Sequence, residues 1–491
     1  MRRWKMIFCA CLVMVLVLEG ANSLQAQNIS VDSMRVEEDG KAFSLDEFYQ
    51  IILDHHPLVK QAQFLSPLAQ EEIRYARGSF DPKAQAKLKQ KVFESKNYYQ
   101  LFDGYISVPT WVGVDFKAGY ESASGINVNP EHYVPDQGLM YAGVSVPIGK
   151  GLIMDARRLT LRKAQIGQQM AEADRLKMIN KVLLSAAKDY WQWYMAYRNF
   201  QVAEEIYELA GDRFEAVREN VLNGEEAPID SVQALINYQN RSVTLREAEI
   251  GFVNASLVIS NYLWDAEMNP LQIEGSLYPV YEDLMGGYQS EAFLAKLIEM
   301  ASISHPDLVK LDAKARQLIL DKRWAVESLK PELNVNYNLI NEQLSLSNSK
   351  GDAVFNNNYK WGFDFSIPIF LRKERAKLKM TKIKMEQVDF DRVHREKEIN
   401  TEVLTLYNQL VNTAQLLDIQ RSMVINYSTM LNGEQQMFNA GESSLFLVNT
   451  RESQLLEANQ KLLKLEVTLE KDKAQLLWAA GVENLDFFAV Q

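Results

Sequence analysis

The sequence predicts a mixed α/β chain, mainly α, in which long antiparallel helical hairpins and a set of barrel strands arise from an internal duplication. Three observations carry this. Two proline-free runs of helix formers hold apolar residues at heptad spacing. Before each run lie segments in which apolar and polar residues alternate. The whole order of elements then occurs a second time.

The first run lies between Pro147 and Trp264, with no proline from Leu152 to Asn223. Its seam comprises Ile179, Val182, Ala186, Trp193, Ala196, Phe200, Ala203, Tyr207, Ala210, Phe214, Val217 and Val221, broken only at Asp189. That spacing gives one continuous apolar stripe along a helix. Asn223-Gly224 ends it, because glycine accepts the left-handed cap. Pro228 then suits a first helical turn, and Asp230 to Tyr262 reads as a returning helix. At about 1.5 Å per residue, roughly 70 helical residues reach about 105 Å. Such a rod crosses distance rather than filling a core.

The second half repeats the plan. His56-Pro57 and Pro82 recur as His305-Pro306 and Pro331, both at an offset of 249 (305 minus 56, 331 minus 82). A second proline-free run follows Pro368, with Ile399, Val403, Leu406, Leu410, Leu417, Val424, Tyr427, Leu431 and Phe438 as its seam. It stops at Asn439-Ala440-Gly441, and a last helix carries Val448, Leu455, Leu462, Leu469 and Leu476 at sevens. Repetition at this scale reads as one supersecondary unit used twice.

Each unit holds two-period segments. Ala84, Ala86, Leu88 and Val92 alternate with Gln85, Lys87, Lys89 and Lys91. Val112, Val114, Phe116, Ala118 and Tyr120 form a second apolar row, and Ala142, Val144 and Val146 a third. In the second unit the rows are Leu333, Val335, Tyr337, Leu339 and Trp361, Phe363, Phe365, Ile367. Each is a strand with one apolar and one polar face. The first unit also contains about 28 extra residues around Tyr98 to Pro109, an inserted hairpin that either joins the sheet or stands apart from it.

Composition fixes the class. With 47% apolar and 24% charged residues the chain folds. Arg2, Arg3 and Lys5, the apolar run Met6 to Leu18 and the small residues Ala21, Ser23 and Ala26 read as a secretory signal peptide. Both cysteines, Cys9 and Cys11, lie inside it, which leaves no thiolate metal site afterwards. The formal net charge is −11, moving to about −13 without that segment, a poor match to nucleic acid. No later stretch is apolar for about 18 residues, so entry into a membrane requires a β-barrel.

The expected organisation is 1–26 signal peptide, 27–43 lead, 44–264 first repeat, 265–290 linker, 291–480 second repeat and 481–491 tail. Within the repeats, helices occupy 44–78 and 291–330, barrel strands 84–147 and 332–368, and long hairpins 152–264 and 372–480. Ser44 with Glu47 forms a capping box at the first helix. About four strands per protomer, or six with the insertion, cannot close a barrel, since closure needs at least about eight. Several copies are therefore required, three of them giving about twelve strands. Tyr99, Trp111, Tyr120, Tyr141, Tyr359 and Trp361 are the candidates for a membrane-interface aromatic girdle, or for an ordinary sheet core.

The duplicated unit resembles the TolC-type outer-membrane efflux family over nearly all of the chain. The carrying motifs are His56-Pro57 and His305-Pro306 at helix starts, Pro147 and Pro368 after the strands, and Gly224 and Gly441 at the hairpin turns. The resemblance implies a homotrimer with a twelve-stranded outer-membrane barrel and a periplasmic α-helical barrel forming a tunnel in a Gram-negative bacterium. It implies partners too: a periplasmic adaptor (membrane fusion) protein and an inner-membrane transporter of the RND, ABC or MFS type, in tripartite efflux or type I secretion. Lipid surrounds the barrel, and no cofactor, metal or nucleic acid is implied.

In the family the hairpin turns close the tunnel and meet the adaptor. The residues matching those positions are Asn223, Gly224, Glu225, Glu226 and Asp230 in the first turn, and Phe438, Gly441, Glu442, Phe446, Leu447, Thr450 and Arg451 in the second. The second departs from members with an acidic gate ring, since Leu447 and Thr450 stand six and nine after Gly441 where those members carry Asp. A hydrophobic constriction by Leu447 or Phe446 is the substitute expected. The same residues also read as a simple capped helix turn. The five histidines show no ligand spacing, and neither a phosphate-cradling glycine loop nor a nucleophile elbow occurs, which disfavours an enzyme. The remaining rival is an exported coiled-coil scaffold bracing the cell envelope, which explains the heptads but not the duplicated strands.

Overall fold

The computed structural model describes residues 41–273, 277–281, 290–341 and 358–482. The expected signal peptide, most of the lead, the tail beyond 482 and parts of the linker lie outside the described residues. Strand β1 (Lys41–Phe43) leads to helices α1 (Leu45–His55), α2 (Pro57–Gln63) and α3 (Leu65–Arg77). Strands β2 (Lys83–Phe93), β3 (Lys96–Pro109), β4 (Asp115–Ser124) and β5 (Leu139–Pro147) follow, and then the long hairpin α4 (Ala156–Leu222) and α5 (Pro228–Ser260). After β6 (Leu277–Pro279) come α6 (Glu291–Ser304), α7 (Pro306–Glu327), β7 (Glu332–Asn341), β8 (Tyr359–Ser366), α8 (Arg372–Asn439) and α9 (Leu445–Ala479).

The long helices are 67 residues in α4 and 68 in α8, and their ends obey local chemistry. Gly224 takes φ +77° and Gly441 φ +76°, the conformation a side chain resists. Each closes a Schellman cap: the Glu225 amide donates to the Asn220 carbonyl at 2.9 Å, and the Glu442 amide to the Met437 carbonyl at 2.9 Å. Pro228 opens α5 at its first turn. The capping box of α1 is present, the Glu47 amide donating to Ser44 Oγ at 3.1 Å. Asp189, the one interruption of the first seam, accepts from Tyr262 Oη at 2.6 Å.

The chain divides into two compact units. One contains 41–52, 188–281 and 423–467. Its core is aromatic: Phe48, Tyr190, Trp191 and Trp193 are fully buried. Tyr190 Oη donates to the carbonyls of Phe43 at 2.8 Å and Val280 at 2.9 Å. It thereby ties down the parallel pair β1–β6.

The other unit contains 53–187, 290–422 and 468–482. Here Leu297, Leu308, Ile399, Val403, Leu406, Leu410, Leu417 and Leu476 are buried, so the first five of the nine α8 seam residues form an occupied core stripe. It also holds one six-stranded sheet in the order β2-β3-β4-β5-β7-β8. The inserted hairpin therefore joins the sheet, and each chain has six strands, the larger of the two numbers the sequence leaves open. The reason is plain in the register: β3 pairs with β4 from Gln100↔Ser124 to Pro109↔Asp115, so β2 and β3 extend the same ladder. Glu94 and Ser95 at φ 51° and 58° make the two-residue turn that joins them. One correction concerns Val112 and Val114. Trp111 to Gly113 form a turn with Gly113 at φ +89°, and β4 begins only at Asp115.

Candidate functional site

The sheet has two chemically opposite faces. Directly paired residues on antiparallel strands share a face. Ile106, Ala118, Ala142, Leu339 and Tyr359 are consecutive partners across five strands. So are Val108, Phe116, Val144, Tyr337 and Trp361. This apolar face leaves Leu88, Phe116, Trp361, Phe363 and Phe365 exposed. A contiguous apolar surface of that kind needs lipid or protein against it.

The opposite face carries Lys87, Asp103 and Glu121 in one row and Asn338 and Lys360 in another. Lys360 on β8 reaches Glu121 on β4 at 3.6 Å, across β5 and β7. Strands lie about 4.8 Å apart, so this contact requires the polar face to be concave. Tyr141 Oη donates to Asp103 at 2.9 Å across the same hollow, which measures about 350 Å³.

The six aromatics singled out from sequence do not share one environment. Tyr120, Tyr359 and Trp361 lie on the apolar face. Tyr141 lies on the polar face, as does Tyr99, which pairs with Lys91. Trp111 is in the β3–β4 turn, stacked on Phe80 at 4.7 Å between ring centres. A two-residue period says that faces alternate, but only the register says which aromatic goes where.

In the other unit, the hairpin turns are built around a small apolar cluster. Val217, Ala234 and Leu445 are buried, with Phe214, Val221 and Phe438 against them. Phe446 and Leu447 are exposed beside it, and Thr450 donates to the Phe446 carbonyl at 2.8 Å. Asn220 Nδ2 donates to Glu226 at 3.2 Å, folding the first turn back on its own helix. Neither Asn223, Glu225 nor Asp230 makes a side-chain bond in this group.

A polar network joins the two hairpins. Arg213 of α4 donates to Glu452 at 2.7 Å and Asn449 at 3.0 Å, both on α9. Asn237 of α5 donates to Asn449 at 3.2 Å, and Arg241 to Ser453 at 3.2 Å. Within the second hairpin, Glu434 of α8 accepts from Ser443 and from Arg451 Nε at 3.3 Å. The Ser443 hydroxyl first, and then Arg451, hold the Glu434 carboxyl below its usual range. Arg213, Glu434 and Glu452 escaped the sequence reading. Their signal was there, as charges set beside the apolar seam within about three turns of each glycine.

The repeated His-Pro pairs prove to be helix caps. His305 Nδ1 accepts from the Asp307 amide at 3.1 Å, and His56 Nδ1 from the Leu58 amide at 3.2 Å. Asp307 meanwhile bridges Lys177 at 2.6 Å and Arg395 at 2.8 Å. Burial pushes the His305 imidazole down to about 4 from 6.5. The unfolded chain thus takes up a proton that the folded chain refuses as pH falls from 6.5 to about 4. The folded state is expected to lose stability through that window and to be unaffected by this group above it. His305→Asn keeps a capping acceptor without a titration. Thermal unfolding followed at pH 7.5, 5.5 and 4.5 should show a smaller acid shift in the variant than in the parent.

Residues 297–482 match the family model described as outer membrane efflux protein. No curated protein sequence matches the chain. Among solved structures, the chain is similar to the Campylobacter jejuni CmeC outer membrane channel, with TM-score 0.60, 14% identity and coverage of 89% of this chain and 85% of that one. It is also similar to the outer membrane protein VceC of Vibrio cholerae, with TM-score 0.58, 14% identity and coverage of 89% and 96%. A third is the open state of the Neisseria gonorrhoeae MtrE outer membrane channel, with TM-score 0.60, 14% identity and coverage of 89% and 89%. The fold is that of TolC-type channels, as the motifs implied.

Proposed function

Because the chain has the TolC-type fold and its second repeat matches the outer membrane efflux proteins, we propose that it is the outer-membrane duct of an export complex. Proteins of this family are channels, not enzymes. The observation that carries the reading is the two-faced sheet with two free edges, β2 and β8. Free edges and an exposed apolar face are unstable in lipid unless the sheet closes on further copies. Among the described residues no helix is long and apolar enough to cross a membrane; the exposed apolar face of the sheet is the surface that would meet lipid.

The helices support self-association as well. Ile229, Ile236, Val243 and Ile250 recur at sevens on α5 and are all exposed, and Met423, Met430 and Met437 do so on α8. A heptad seam left uncovered in one chain is a surface for another helix. The assembly is a homotrimer whose helices pack into a periplasmic tunnel. Its hairpin turns, from Asn223 to Asp230 and from Phe438 to Arg451, form the gate and the docking surface for a periplasmic adaptor, which links the duct to an inner-membrane RND, ABC or MFS transporter. Leu447 and Phe446 supply a hydrophobic constriction in place of an acidic ring. Tyr120, Tyr359 and Trp361 lie at the lipid boundary.

Cell fractionation with electrophoresis tests the assembly. The expected product is a trimer in the outer-membrane fraction that resists detergent and dissociates on heating. An elongated dimer released with the soluble periplasm would point to the scaffold instead.

A further inference from the structure

The sheet departs from the four strands per chain that the family resemblance implies, and the departure has a consequence for the whole barrel. All five strand pairs are antiparallel, from β2 at one edge to β8 at the other. β2 leaves the helical part of its unit and β8 returns to it. Placed side by side under rotation about an axis along the strands, β8 of one copy and β2 of the next therefore run antiparallel without reversing either chain. A head-to-tail contact of that type closes into a ring.

The two edges match in size on the apolar face near the start of β2, and in charge on the polar face at Asp364. On the apolar face β2 presents Ala84 and Ala86, small residues, while β8 presents Trp361, Phe363 and Phe365, large and exposed. On the polar face β2 carries Lys83, Lys87, Lys89 and Lys91; Lys87 stands directly opposite Asp103 of β3, and none of the four makes a close ion pair among the described residues. Across the gap, Asp364 on β8, which accepts from Asn336 at 2.9 Å, and Glu332 on β7 share that polar face, while Lys360 of β8 is already engaged by Glu121 at 3.6 Å. The lysines run against the net charge of a chain that carries −11 overall.

We propose that β2 of one copy pairs with β8 of its neighbour, so that three six-stranded sheets close a barrel of eighteen strands. The inserted hairpin is then the intersubunit edge and not an ornament on a twelve-stranded barrel. Barrel diameter grows about linearly with strand number, so this pore is about half as wide again as a twelve-stranded one. Barrels of about 16 to 18 strands leave an aqueous channel. The inference rests on the trimeric-duct reading, and the test separates the two.

No cysteine follows Cys11, so introduced thiols report without background. Cysteines would be placed at Ala84, Ala86 or Leu88 on β2, each combined with one at Trp361, Phe363 or Phe365 on β8. The full chain would be oxidised in outer membranes and run without reductant. Lys87→Cys with Asp364→Cys gives an independent pair on the other face. Native mass in detergent, on the same samples, reports whether each variant assembles.

The expected result is a ladder of covalent dimers and trimers for one register, absent from the single-cysteine parents and lost on reduction. Assembled trimers that cross-link at none of these pairs would overturn the β2–β8 seam while leaving the duct intact. Absence of a trimer in the parent protein would overturn both.

Discussion

Trp193→Ala is expected to destabilise the helical unit that contains it by about 3–5 kcal/mol, the range for removing a buried indole. Trp193 is fully buried, and its Nε1 donates to Ser256 Oγ at 2.9 Å. Its ring meets Phe43 edge-on at 6.3 Å and Tyr190 at 5.9 Å. Truncation therefore opens a cavity at the junction of α4, α5 and β1, and leaves Ser256 without its donor. Trp193→Phe keeps a ring in the site and loses the hydrogen bond, so it should cost less, about 1–2 kcal/mol. The check is the thermal midpoint of the far-ultraviolet helical signal in detergent. A midpoint unchanged by Trp193→Ala would mean that this aromatic core does not hold the unit together.

Arg213→Ala and Leu447→Ser are expected to open the duct by different routes. Arg213 is the donor that links α4 to both Asn449 and Glu452 on α9. Its loss strands the Glu452 carboxylate, whose side chain is only 15% exposed, and frees one hairpin from the other. The channel should spend more time open, with Arg213→Lys intermediate because it keeps one charge-assisted bond. Leu447→Ser leaves the network intact but wets the constriction, so the unitary conductance should rise several-fold. Recording single channels distinguishes lifetime from conductance. If both variants assemble and both behave as the parent, the gate does not lie at the hairpin turns.

Much of this architecture was legible in the sequence because it rests on local signals. Heptads, glycines after helices, prolines at first turns and the Ser44–Glu47 capping box all act within a few residues of chain. The hairpin turns at Gly224 and Gly441 fall where these signals put them. What escaped depends on contacts remote in sequence. Whether the hairpin around Tyr98 to Pro109 joins the sheet depends on pairing with β4, which alternation does not encode. The six aromatics look alike in sequence, yet the register sends Tyr141 to Asp103 and Trp361 to the apolar face. The Trp111 segment alternates like a strand, but Gly113 turns the chain there and Phe80 takes the indole. The Arg213–Glu452 bridge joins residues 239 apart, beyond the reach of any local pattern.

The proposed function requires copies of this chain to form a sealed aqueous duct through a membrane. Conductance of the purified protein in planar lipid bilayers, with its mass in detergent determined on the same preparation, tests it most directly. The expected result is a trimer that inserts and gives small, mostly closed channels. A monomer or dimer that inserts no channel would contradict it.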